Sequence, residues 1–391
     1  MKNKNIVLIS LCLFSGLTIT AQDKTLIPIT TRVDIQGSIA PKTSIIDGEW
    51  VAVGSKKEHA IQYDYTRTFN GKPSYRFELK QNDNTLSGYS VGETKGRAEL
   101  SYCYATKEHI ENLSAEQLEY AIRAKKVYHY GKGECPQGST RHYQFSIYVP
   151  NELDASVNTI FAQWHGMPDR TLLKTPEGVI KQVSDKEFSQ IWEKVIFKKD
   201  TGYDKIAVTN ANGSPKLDKN GTPVYKAGKK PNGWIVEQGG YPPLAFGFNK
   251  GFFYIKANSD RKWLTDKSDR CNIDPEKGDV MKPFTSEYKA STLAFKEPFS
   301  DFPKNTWVTF NITISWTIYG GKNENILKPG ALDVIMSYDK NGKKIDRHIV
   351  NNEQILIGRN DENGYYFKFG IYRVGNSTVP VCYNLAGYKE Y

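Results

Sequence analysis

Tyr366-Phe367-Lys368-Phe369-Gly370-Ile371-Tyr372-Arg373 alternates in the manner of a strand whose two faces have different jobs. Phe367, Phe369 and Ile371 fall on one face, and Lys368 and Tyr372 fall on the other. A purely structural strand more often shows Ser, Thr or scattered charges on its wet face, whereas this one carries a cation and phenols. Two further segments share the pattern. Thr159 to His165 sets Ile160, Ala162 and Trp164 against Gln163 and His165, and Arg97 to Tyr102 sets Arg97 and Glu99 against Ala98, Leu100 and Tyr102. Three strands are therefore expected to offer Arg, Gln, His and Tyr to one solvent-facing groove.

Outward from these segments the strand rhythm continues through Trp50 to Gly54, Ser74 to Leu79, Tyr143 to Val149, Leu244 to Phe248, Phe252 to Ala257, Val308 to Trp316 and Leu332 to Met336. Val308, Phe310, Ile312, Ile314 and Trp316 alternate with polar residues without a break, the mark of a half-buried antiparallel strand. Such strands, divided by Gly, Asn and Pro turns, point to an all-β sandwich or jelly roll. Helices are expected in two places: a capping box at Ser114 and Gln117, and another at Ser184 and Glu187 that lines up Phe188, Ile191, Trp192 and Val195 on one face. From about 169 to 234 the strand rhythm breaks, and an insertion into the sheet framework is the natural reading. It carries Lys198, Lys199, Lys205, Lys226, Lys229 and Lys230, cations that suit either a solvated loop or a surface for an anion.

Lys2 and Lys4, the apolar run Ile6 to Leu17 and the small residues up to Ala21 have the three regions of a secretory signal peptide, with cleavage expected after Ala21. The run is short for a membrane span, and the rest of the chain, 22–391, is expected to be exported, to the periplasm or outside the cell. The formal charge of +10 falls to +8 when Lys2 and Lys4 are removed, because the first 21 residues hold no acidic residue. That excess suits nucleic acid, acidic lipid or an acidic polysaccharide, and charge alone does not choose among them. Four of the five cysteines, Cys103, Cys135, Cys271 and Cys382, lie beyond the leader, at spacings unlike a zinc ribbon or a redox pair. Cys135 stands apart because the flexible, basic run Gly131 to Gly138 around it suits the border of a groove.

Gly96-Arg97-Ala98-Glu99-Leu100, Gln163-Trp164-His165 and Tyr366 to Tyr372 resemble, in order and spacing, the three motif strands of jelly-roll alginate lyases and heparinases. The resemblance is closer to the heparinase I family and runs over nearly the whole chain. It takes in Lys72 to Leu79, Tyr254 to Arg261 and Ile357 to Asp361. It implies a concanavalin-like jelly roll in which the insertion projects as a thumb over the groove. It also implies β-elimination at uronate in heparin and highly sulfated heparan sulfate, with no nucleic-acid partner and the chain acting as a monomer. Bound calcium is implied too, and Glu237, the Trp263 carbonyl, Asn360 and Asp361 are oxygen donors of the kind calcium uses in a structural site.

Removing the C5 proton of a uronate requires neutralisation of its carboxylate, a base, and an acid for the departing O4 oxygen. Arg97 and Gln163 suit the first task, His165 the second, since its ring titrates near neutrality, and Tyr372 can donate or accept a proton. Lys198, Lys199, Lys256, Arg261, Lys368 and Arg373 are candidates to hold sulfates or carboxylates. Arg373 is the exception in geometry, since strict alternation puts it on the apolar face of its strand. A glycoside hydrolase would need a pair of carboxylates flanking the bond, and no such pair stands out. The competing readings are a noncatalytic binder of sulfated glycans on the same fold and an alginate-type lyase.

Overall fold

The computed structural model describes residues 25–29, 45–46, 50–55, 57–83, 96–102, 135–166, 172–174, 180–182, 205–219, 221–227, 235–236, 241–262, 288–360, 364–374 and 378–391. Two large, almost wholly antiparallel sheets dominate these residues. The first has eight strands, in the order Leu26–Pro28, Ile61–Phe69, Lys72–Leu79, Val381–Glu390, Thr140–Tyr148, Trp307–Ser315, Gly330–Lys340 and Lys343–Ile355. The second runs Lys289–Pro298, Phe252–Asp260, Leu244–Asn249, Asn158–Gly166, Tyr365–Val374, Gly96–Tyr102, Trp50–Gly54 and Ile45–Ile46, and Gly358–Arg359 joins Phe252–Asp260 in parallel. The three motif strands are thus neighbours, with Tyr365–Val374 in the middle.

The sheets close on one aromatic core. In Trp307–Ser315 the alternation reads directly as burial: Val308, Phe310, Ile312 and Ile314 are buried, and the residues between them are half exposed. Phe310 and Phe145 of the first sheet meet Phe161 and Phe367 of the second at ring-centroid distances of 5.4 to 6.4 Å. Burying each such ring contributes about 1.5–3 kcal/mol, which is why the inward faces of the central strands are rich in aromatic and branched residues.

The expected alternation of Thr159 to His165 fails at one place. Both neighbouring strands shift register around Phe161, between Phe246 and Gly247 on one side and between Phe369 and Tyr372 on the other. As a result Phe161, not Ile160, joins the core cluster, and Ile160 instead faces Tyr372. The shift coincides with Gly370, whose φ of 133° and 2.3 Å approach of a hypothetical Cβ to the Ala98 carbonyl exclude any side chain.

Between Gly166 and Leu244 the described strands join neither large sheet. Leu172–Lys174 pairs with Ile180–Gln182 and Ile235–Val236, and Lys205–Ala207 pairs with Tyr225–Ala227. The two expected helices, at Ser114 and Ser184, and the expected leader lie outside the described residues, which hold only the 3-10 turns Phe299–Asp301 and Gly321–Asn323. Among the described residues no helix is long and apolar enough to cross a membrane. Cys135 does not border a groove. It is fully buried in the core, where the Tyr143 hydroxyl donates to its sulfur at 3.2 Å. Cys382 is a free thiol as well, and burial pushes its pKa up to about 11.

Candidate active site

The outer face of the second sheet is built by register. Across three adjacent strands Lys368 stands between Ser101 and Gln163, Tyr366 opposes His165, and Tyr372 opposes Arg97. Further along the same row Gln163 opposes Ala245, which in turn opposes Lys256, so Lys256 joins the face from two strands away. Sequence parity therefore brings Arg97, Gln163, His165, Lys256, Lys368 and Tyr372 to one surface.

That surface is not the open, wet one expected. Gln163 is 3 % exposed, and Lys256 and Lys368 are each 5 % exposed. Enclosed cations need partners, and Lys368 finds one in the Tyr366 ring, 5.5 Å from its ammonium. The Arg97 guanidinium lies 4.7 Å from the centroid of the Tyr372 ring, and its Nε sits 3.0 Å from a carboxylate oxygen of Glu99. The other Glu99 oxygen accepts a short hydrogen bond from the Gln163 amide nitrogen.

His165 is half buried, and its Nδ1 lies 2.7 Å from the Gly166 carbonyl. A carbonyl only accepts, so Nδ1 carries the hydrogen and Nε2 keeps the lone pair. Burial first, then the charges of Lys368 and Arg359, hold the ring's pKa well below its usual value, against a smaller opposing effect from the Gly166 bond. The imidazole is therefore neutral at neutral pH and has one basic nitrogen.

Arg359 is the residue that sequence reasoning passed over. It is buried, and its guanidinium lies so close over Gly166 that a Cβ there would come within 2.0 Å of Nη2. The Tyr365 hydroxyl fixes its backbone, accepting from Arg359 N at 2.7 Å and donating to Arg359 O at 2.9 Å. The signal available was position: Arg359 falls inside the run Ile357 to Asp361 already singled out.

Two of the candidate sulfate ligands are elsewhere. Arg373 is 0 % exposed and points into the protein, where it donates to the carbonyls of Lys80, Asp83 and Val379. The parity that puts Phe369 and Ile371 inside puts Arg373 inside too, so it is a buried strut and not a substrate ligand. Arg261 lies beyond the end of Phe252–Asp260, stacked on Tyr288 at 4.8 Å and donating to the Glu324 carbonyl at 2.5 Å. Lys198, Lys199, Glu237, Trp263 and Asp361 lie outside the described residues.

Asn360, the one calcium candidate within them, is 1 % exposed. Its amide nitrogen donates to the carbonyls of Arg261 and Gly321, each at 2.7 Å, while its side-chain oxygen is buried without a hydrogen-bond partner. An amide with both donors spent on carbonyls and an orphaned oxygen is the arrangement a hard cation would complete. Among the described residues no cluster of three His, Cys, Asp or Glu could hold a metal.

A family model described as polysaccharide lyase matches residues 42–384. The chain is 58 % identical over 370 residues to heparin lyase I of Pedobacter heparinus, covering 95 % of this chain and 94 % of that protein. Among solved structures, a family 7 alginate lyase in complex with substrate is similar at 11 % identity and a TM-score of 0.35, over 90 % of this chain and 97 % of that one. The marine alginate lyase of Aplysia kurodai is similar at 7 % identity and a TM-score of 0.37, over 94 % of this chain and 97 % of that one.

Proposed function

The chain belongs to the polysaccharide lyase family, and from that premise we propose that it cleaves heparin and highly sulfated heparan sulfate by β-elimination at uronate, leaving 4,5-unsaturated oligosaccharides. The observation that carries the reading is His165, whose Nδ1 is committed to a carbonyl and whose ring feels the charges of Lys368, Arg359 and Arg97. A base among cations is suited to a substrate that brings its own carboxylate and sulfates. Gln163 and Lys368, paired across adjacent strands with Arg97 nearby, face the uronate carboxylate and stabilise the charge that develops on it as the C5 proton leaves. His165 Nε2 takes that proton, and the Tyr372 hydroxyl protonates O4 as the C4–O4 bond breaks. Lys256 adds a further cation for sulfate on the same face.

The positions of acid and base bear on stereochemistry. His165 is paired across from Tyr366 and Tyr372 across from Arg97, so base and acid are two different residues several positions apart along neighbouring strands. In iduronate the C5 hydrogen and O4 lie on opposite faces of the ring, and in glucuronate they lie on the same face. A separate acid and base therefore favour cutting at iduronate.

Calcium is part of the proposal in a structural role: Asn360 would be one oxygen donor, with Glu237, Trp263 and Asp361 as the remaining candidates, and the ion would supply charge to fix the chain there, leaving proton transfer to His165 and Tyr372. Export is proposed on the charge and apolar pattern of residues 2–21. The test is incubation with heparin, and separately with alginate, while following the ultraviolet absorbance of the conjugated unsaturated uronate. A rise with heparin is expected; heparin binding without a rise would favour a noncatalytic glycan binder, and a rise with alginate alone an alginate lyase.

A further inference from the structure

We propose that Glu99 is a positioning residue of this site: by dividing its two carboxylate oxygens between Gln163 and Arg97, it decides which of them meets the substrate. The inference rests on the lyase reading above and deepens it. Glu99 is 1 % exposed, on the outer face of Gly96–Tyr102. Gln163 stands two strands away, across Tyr365–Val374, a separation of about 10 Å at ordinary strand spacing. The residue directly opposite Glu99 on the intervening strand is Gly370, and the Glu99 carboxylate reaches across that strand to the Gln163 amide.

The arrangement makes poor sense as simple packing. An enclosed carboxylate is expensive, and an apolar side chain of similar volume in such a place is commonly neutral or stabilising. Glu99 is better explained by what it does to its two partners. One Gln163 N–H is spent on Glu99, which fixes the amide's orientation and leaves its second N–H for a ligand. Arg97, paired to the other oxygen, has much of its charge answered inside the protein, and its guanidinium is held over the Tyr372 ring. With Glu99 in place, Lys368 and Gln163 meet the uronate carboxylate, and Arg97 holds the acid. Without that charge Arg97 is released toward the anionic substrate, binding its ground state while leaving Tyr372 unsupported.

The experiment is steady-state kinetics on heparin for the wild type, Glu99→Gln, Glu99→Asp, Arg97→Gln and the Arg97→Gln/Glu99→Gln double variant, with each folded fraction checked by its thermal transition. E99Q is expected to lower kcat on the order of 100-fold, the cost of misplacing a catalytic group by about 1 Å, with KM unchanged or lower. In the R97Q background the same substitution should cost only about 3-fold, because residues that act through one another are not additive. A purely packing role would reduce the folded fraction and leave kcat per folded molecule alone. E99D keeps the charge on a stem too short to serve both partners, so it should also lose kcat, and it decides the matter if E99Q does not fold. Wild-type kcat in the folded variants, a loss confined to a raised KM, or single effects that multiply in the double variant would overturn the role of Glu99. A wild type that leaves heparin uncut would sink the substrate reading and this proposal with it, whereas an active wild type beside an unchanged E99Q would sink only the latter.

Discussion

Replacing Arg373 by Met separates the two readings of that residue. Its guanidinium donates to the Val379 carbonyl at 2.6 Å, the Asp83 carbonyl at 3.1 Å and the Lys80 carbonyl at 3.2 Å, holding two loops to the end of the strand that carries Tyr372. Losing three charge-assisted bonds, the one to Asp83 buried and those to Lys80 and Val379 partly so, costs about 1–2 kcal/mol each. Burial, partly offset by the Asp83 charge, lowers the Arg373 pKa, so the charge itself is held at a cost that Met does not bear. Met also fills most of the stem's volume, so no large cavity opens. Together these give a net loss of about 2–4 kcal/mol. With an unfolding entropy near 2 cal/mol/K per residue, a chain of this length has about 0.8 kcal/mol/K in total, and the thermal midpoint should fall by about 3–5 °C. Arg373→Lys should recover part of the loss, since one ammonium reaches fewer carbonyls than a fork of three nitrogens. The assay is thermal unfolding beside heparin affinity at two salt concentrations. An unshifted midpoint together with weakened heparin binding would refute the strut and restore Arg373 to the substrate surface.

Other outcomes follow from the same geometry. His165→Ala and Tyr372→Phe should each lose turnover by roughly 100-fold or more while still binding heparin; near-normal turnover in either removes that residue from the mechanism. Because burial and the neighbouring cations hold the His165 pKa well below its usual value, the base should stay deprotonated through pH 6.5. The acid limb of kcat/KM should then lie below that pH, and a limb centred at 6.5 or above would contradict the enclosed-cation environment. Asp83 is buried and its pKa is lowered: burial raises it, but bonds from Lys57, His59 and the Lys80 backbone outweigh that. Its contribution to stability is therefore full above the ordinary aspartate range and lost as pH falls through the lower folded value. Asp83→Asn should cost about 1–3 kcal/mol at neutral pH and much less in strong acid, as measured by denaturant unfolding. Heparin affinity should fall steeply with salt, by analogy with counterion release from other polyanions, and an affinity indifferent to salt would count against the cationic face.

Fold and site were legible in the sequence to different depths, and the reasons are physical. A period of two is a direct image of a half-buried strand, so Val308 to Trp316 and Tyr366 to Tyr372 disclose both their strands and their inward residues. The same parity assigned Arg373 to the interior before its charge suggested the opposite, and parity prevailed because the strand does not bulge between Ile371 and Arg373 against Gly96–Tyr102. Parity failed at Phe161, because a register shift is a relation between strands and leaves no mark on one strand's own alternation. Enclosure was illegible for a similar reason: that Lys368 and Lys256 are almost fully buried depends on what packs over the sheet, not on their neighbours in the chain. Glu99 lay between these cases. Its place beside Arg97 on one face was visible. Its reach to Gln163, 64 residues along the chain, depends on a strand from the far end of the sequence passing between them with Gly370 at the crossing point. Such a contact is a relation across three strands, and no one strand's own alternation records it.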